Sequence, residues 1–113
     1  MVFDSPHIQA LKICRNVVFE FVHEKGQDLS LRQLAILLTI YLEPPPHTVR
    51  GLAHKLNVTK PVVTRALDAL GKIGLLERRR DEKDRRNVII QRTVLGALTV
   101  ERIGDTLVRQ LKI

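Results

Sequence analysis

The chain has 113 residues, 44% of them hydrophobic, and a net charge of +7, which suits one globular domain over 1–113 with a real core and little room for a second module. No run approaches the length of a membrane span, and the N-terminus carries Asp4 and Pro6 instead of a basic stretch leading into an apolar one, so neither a membrane protein nor a signal peptide is expected. A single cysteine, Cys14, excludes an internal disulfide framework and points to a reducing cytoplasm.

Ser5 suits an N-cap with Pro6 at the first helical position, and Gly26 after Lys25 is a natural stop, so a first helix is predicted over 6–25. Ile8, Leu11, Cys14, Val18, Phe21 and Val22 make one apolar stripe, which Ile13 and Val17 widen, while Phe19 adds apolar surface elsewhere. So greasy a helix in so short a chain calls for more than one partner, and a second subunit is a candidate. On that stripe Cys14 reads as a small buried hydrophobe and unreactive.

The second helix has a fuller start signal. Ser30 with Gln33 fits a capping box, with Leu29 and Leu34 as its hydrophobic staple. It runs to Leu42 and must end near Glu43, because Pro44, Pro45 and Pro46 cannot continue it and form a stiff joint. Two short helices follow. Thr48 can cap one ending near Leu56, and Thr59 another reaching about Ile73, with Pro61 tolerated in its first turn and Gly74 closing it. Only Asn57 and Val58 connect them, which fits a helix-turn-helix. Extended runs over 75–80 and 86–91 flank a charged tip and predict a β-hairpin. Thr93 then caps a last helix carrying Leu95, Leu98, Ile103, Leu107 and Leu111. The fold expected is mainly α with a small β-hairpin.

All of the excess charge lies in one stretch. Residues 50–92 hold 12 Lys/Arg against 5 Asp/Glu, and the rest of the chain has 7 of each. A localised positive field of this kind recruits a polyanion, either nucleic acid or an acidic membrane surface. A membrane is the poorer fit, because the charge sits on a compact hairpin and not along an amphipathic helix. With Leu52, Ala53, Leu56, Val58, Val63, Leu67 and Leu70 packed between the short helices, helical phase turns Thr59, Lys60, Pro61, Val62, Thr64, Arg65 and Asp68 outward. Hydroxyls, two cations and a small apolar side chain suit base edges, thymine methyls and phosphates. The hairpin tip between Arg78 and Arg86 then places six cations among three acids. A loop of this kind can put an arginine into a minor groove, and Arg86, beside Arg85, is the candidate, with Asp84 holding its guanidinium in a charge-assisted fork.

From His47 to Gly96 the residues resemble the winged-helix domain of MarR-type bacterial transcription regulators. The resemblance rests on Thr48-x-x-x-Leu52-Ala53, on 57–65, on Gly74-Leu75-Leu76-Glu77-Arg78, on Asp84-Arg85-Arg86 and on Thr93-x-x-Gly96. It implies a winged helix-turn-helix over 48–93, flanked by dimerisation helices at 6–25 and 94–113. It also implies a homodimer on double-stranded DNA, with the helix at 59–65 in the major groove and Arg86 in the minor groove. The function expected is a sequence-specific repressor acting on a pseudo-palindromic operator, responsive in some relatives to a small phenolic or lipophilic effector. Three features depart from the family pattern. Gly51 stands where an acid often completes the cap, Arg92 replaces a leucine and should be exposed or meet a phosphate, and the C-terminal helix is short at about 18 residues.

Other chemistry finds little support. His7, His23, His47 and His54 lack metal-site spacing and read as solvated surface residues, and one cysteine cannot complete a zinc site. No Gly-rich phosphate loop and no nucleophile–base pair is present, so neither an enzyme nor a cofactor is expected. Peroxide sensing by a first-helix cysteine, as in some MarR-type proteins, is the rival reading of Cys14. The rival to DNA binding is a winged helix that docks on a protein partner, its basic face incidental.

Overall fold

The computed structural model describes residues 5–24 and 28–113. In chain order these form α1 (Ser5–His23), α2 (Leu31–Leu42), β1 (His47–Thr48), α3 (Val49–Leu56), α4 (Lys60–Lys72), β2 (Leu76–Arg80), β3 (Val88–Arg92) and α5 (Val94–Leu111). The chain divides into two compact units, Leu29–Val100 and a second made of Met1–Asp28 with Glu101–Ile113. The first-helix stop expected at Lys25 and Gly26 lies outside the described residues.

The larger unit forms its elements for local reasons that the sequence states well. Ser30 caps α2 by accepting from the Gln33 amide at 3.1 Å, and the Gln33 side chain accepts from the Ser30 amide at 2.9 Å, completing the capping box. Within α2, Ile36, Leu37 and Ile40 are fully buried, and within α4 so are Val63, Leu67 and Leu70. Those i, i+3, i+4, i+7 spacings turn one stripe of each helix inward, where Leu52, Leu75, Leu76 and Ile90 complete the core.

The sheet differs from the expected hairpin. It has three antiparallel strands in the order β1-β3-β2, because His47 and Thr48 pair with Ile90 and Ile89. Two residues are too few for a periodicity signal, but the prolines before them prevent helix and the extended Thr48 backbone meets the edge of β3. The hairpin strands are also displaced. Leu76 opposes Arg92 and Arg80 opposes Val88, which leaves Arg86 in the loop and not in a strand.

A polar junction secures the start of α5. The Tyr41 hydroxyl donates to the Leu75 carbonyl at 2.8 Å and accepts from the Thr93 amide at 2.9 Å. Thr93 Oγ1 donates to the Gly74 carbonyl and accepts from the Gly96 amide, so one hydroxyl caps α5 and ties it to the turn after α4. A methyl at Gly96 would overlap both the Tyr41 hydroxyl and the Leu75 carbonyl, which explains the glycine of the Thr-x-x-Gly pattern. Arg92 is exposed, as expected, but its guanidinium is engaged. Its Nε donates to the Ile40 carbonyl and its Nη2 to that of Glu43, capping the C-terminal end of α2 where a cation is favoured.

Two further expectations are corrected. His47 is not a solvated surface residue: it is 8% exposed, with Nε2 3.1 Å from the Glu43 carbonyl. In α1, Val17 is the buried residue, whereas Leu11, Cys14, Val18 and Val22 of the expected inward stripe are exposed. Cys14 therefore lies on an uncovered apolar face within this chain and is not a buried hydrophobe. The smaller unit is joined by polar groups instead, Glu20 receiving Arg109 and Gln110 while Glu24 meets Arg102.

Candidate nucleic-acid interface

The joint between α3 and α4 is built from three local devices. Thr48 Oγ1 accepts from the Gly51 amide at 3.0 Å, so the cap forms without the acid that often accompanies it. At the other end Asn57 adopts the left-handed conformation, φ 56° and ψ 48°, which asparagine tolerates better than most residues. The Asn57 amide then bonds to the His54 carbonyl and the Val58 amide to that of Ala53, closing α3 with a Schellman turn. Gly74, at φ +78°, ends α4 the same way, through Gly74 to Gly71 and Leu75 to Leu70.

With both ends fixed, the outward side of α4 is defined. Thr59, Lys60, Pro61, Thr64, Arg65 and Asp68 are exposed and Val62 is half-buried, in the phase that the apolar spacing predicts. Thr59 occupies the N-cap position, yet its side chain makes no capping bond, contrary to expectation. That hydroxyl stays available for an outside acceptor. Asp68 has a different task from its neighbours. Its Oδ1 meets Arg78 Nη2 at 2.7 Å, which joins α4 to β2 and sets the hairpin against the helix. Neither residue announced this partnership in the sequence. The only signal was an acid on an otherwise basic outward face, ten residues before an arginine.

The hairpin tip is organised by its own acids. Asp81 Oδ1 accepts from the Lys83 amide at 2.9 Å, and the Asp84 carbonyl accepts from the Asn87 amide. The Arg80 guanidinium donates to the Arg85 carbonyl. Asp84 Oδ1 receives both the backbone amide and Nε of Arg86, each at 3.2 Å. This is a single-oxygen grip and not the expected two-nitrogen fork. The consequence is useful, because both terminal nitrogens of Arg86 stay free on a side chain that is 92% exposed. Arg85 is exposed beside it. Among the described residues no group of His, Cys, Asp or Glu is placed to hold a metal ion, and no helix is long and apolar enough to cross a membrane.

A helix-turn-helix followed by a two-stranded arm with a third short strand is a winged helix. The MarR family's sequence profile matches residues 29–88, and the chain belongs to that family and has the fold of its transcription regulators. BldR of Sulfolobus solfataricus, described as a transcriptional regulator, is 32% identical, with 92% of this chain and 75% of that one covered at a TM-score of 0.65. YusO of Bacillus subtilis is 24% identical, covering 93% and 73% at a TM-score of 0.77. AbfR, solved in an overoxidised form bound to DNA, is 22% identical over 91% and 72% at a TM-score of 0.67. Among curated proteins nothing matches.

Proposed function

We propose that the chain is a sequence-specific DNA-binding transcription regulator, a repressor, which acts as a homodimer on double-stranded DNA. In this reading the exposed side of α4, with Thr59, Lys60, Pro61, Val62, Thr64 and Arg65, enters the major groove. The loop at 81–87 lays Arg86 in the adjacent minor groove, with Arg85 on a phosphate and Asp84 as support. The observation that carries the proposal is the Arg86 side chain, tethered through Nε with its two terminal nitrogens free. An arginine poised in this way at a basic hairpin tip suits the strong negative potential of a narrow minor groove. AbfR, which has the same fold, has been solved bound to DNA, which supports DNA as the partner.

The homodimer rests on the smaller unit, where Leu11, Val18 and Val22 of α1 and Leu107, Val108 and Leu111 of α5 are exposed. Several large apolar side chains left exposed on these two helices support an interface there. Two copies related by a two-fold axis would set two α4 helices about one turn of DNA apart, ~10 bp between half-site centres. Selection of bound duplexes from a random pool tests the whole reading. The expected result is an enriched pseudo-palindrome of that spacing, and a pool that stays random would sink it.

A further inference from the structure

Beside the outward face of α4 lies a cleft of about 170 Å³ lined by Ser30, Arg32 and Gln33 of the α2 start and by Val62, Arg65 and Ala66. No carboxylate lines it. Among the described residues neither arginine has an ion-pair partner, while Asp68, on the same helix as Arg65, is matched with Arg78. The remaining polar side chains of the cleft are already occupied, since Ser30 Oγ and Gln33 Oε1 form the capping box. That box also makes the first turn of α2 a rigid mount for Arg32. Two arginines thus line one cleft with no acid to neutralise them, an arrangement that an anion would relieve.

We propose that this cleft seats a backbone phosphate of the bound DNA between Arg32 and Arg65, outside the base pairs read by α4. The inference rests on the DNA-binding reading and adds to it a contact from α2, which lies before the winged helix-turn-helix. Guanidinium groups present paired N–H donors that match phosphate oxygens. Size decides against a small-molecule effector, because pockets for such ligands run to roughly 300–1,000 Å³. A phosphodiester group needs far less.

The test is binding of the full chain to a labelled random-sequence duplex, measured by anisotropy across a salt series for the native chain, R32A, R32K, R65A and R86A. Loss of one phosphate contact should lower the slope of log affinity against log salt by about 0.9 and weaken binding roughly eightfold at 0.1 M salt. R32A should show both effects, equally on any duplex, and R32K should restore most of the slope. Arg32 is exposed, so the thermal midpoint of R32A should stay within about 2 °C of the native value, as for most surface substitutions. Native slope and affinity in R32A, with R65A and R86A both weakened, would overturn the phosphate seat and leave the DNA reading standing. Salt-independent binding in every variant would overturn both. A midpoint raised by inorganic phosphate in the native chain but not in R32A, with DNA affinity unaltered, would assign the cleft to a free anion and also defeat the proposal.

Discussion

Residues 29–100 and the unit that joins α1 to the tail of α5 treat apolar surface in opposite ways. In the first, Ile36, Leu37, Ile40, Val63, Leu67 and Leu70 have no accessible surface at all. In the second, Val17 is the one buried apolar side chain among the described residues, while Val22 is 66% exposed and Leu11 53%. The first unit completes its core from its own elements, although Leu31, Leu42, Val94, Leu95 and Leu98 stay exposed on it. The second is held by ion pairs that are themselves largely exposed, and such pairs contribute only about 0–1 kcal/mol each. A region with so little buried apolar side chain gains stability from whatever covers it, whereas the winged helix already has a closed core of its own. If copies of the chain assemble through the second region, substitutions in the two regions should report on different equilibria.

The largest effect on folding belongs to the closed core. Leu67→Ala removes a fully buried side chain from the packed face of α4 and should destabilise by about 2–5 kcal/mol, read from chemical denaturation. A smaller loss would mean that the core is looser than its zero exposure indicates. Tyr41→Phe comes next. It strands the Thr93 amide and the Leu75 carbonyl together, at a cost of about 1–3 kcal/mol, while the aromatic face beneath Arg92 survives. Thr48→Ala removes the one side-chain cap of α3 and should cost about 1 kcal/mol, seen as a thermal midpoint about 4 °C lower. An unchanged midpoint would show that the pairing of β1 with β3 alone holds that end.

Much of the closed region was legible in the sequence because its signals are local. Ser30 with Gln33, Thr48, Gly74 and the apolar spacing of α4 each act within a few residues, so the helices, the turn and the outward face could be placed directly. What escaped depends on partners far along the chain. The Tyr41 junction links positions 34 and 52 residues apart, and Arg92 reaches back 52 residues to the end of α2. Neither has a periodic trace, although the chain's only tyrosine standing at a helix end was a usable hint. β1 was missed because two residues carry no alternation. The first-helix stripe failed for another reason. Periodicity reports which side chains share a face, but it cannot say whether that face meets this chain or another one, and so Cys14 was expected in a core that the chain itself does not provide.

The smallest effect on folding, and the sharpest test of the comparison, is expected from Val18→Lys. Val18 is 48% exposed on the face it shares with Leu11, Cys14 and Val22, so a charge there meets water in the single chain and should shift its intrinsic stability by less than about 0.5 kcal/mol. At a subunit interface the same lysine would be desolvated without a partner, a penalty of several kcal/mol. The two regimes separate by concentration. If copies of the chain cover one another through this face, the native midpoint should rise with protein concentration and that of the variant should not. Sedimentation would show the mass fall from two chains to one. A variant destabilised equally at all concentrations would place Val18 in the fold of the single chain, and the contrast between the two regions would then disappear.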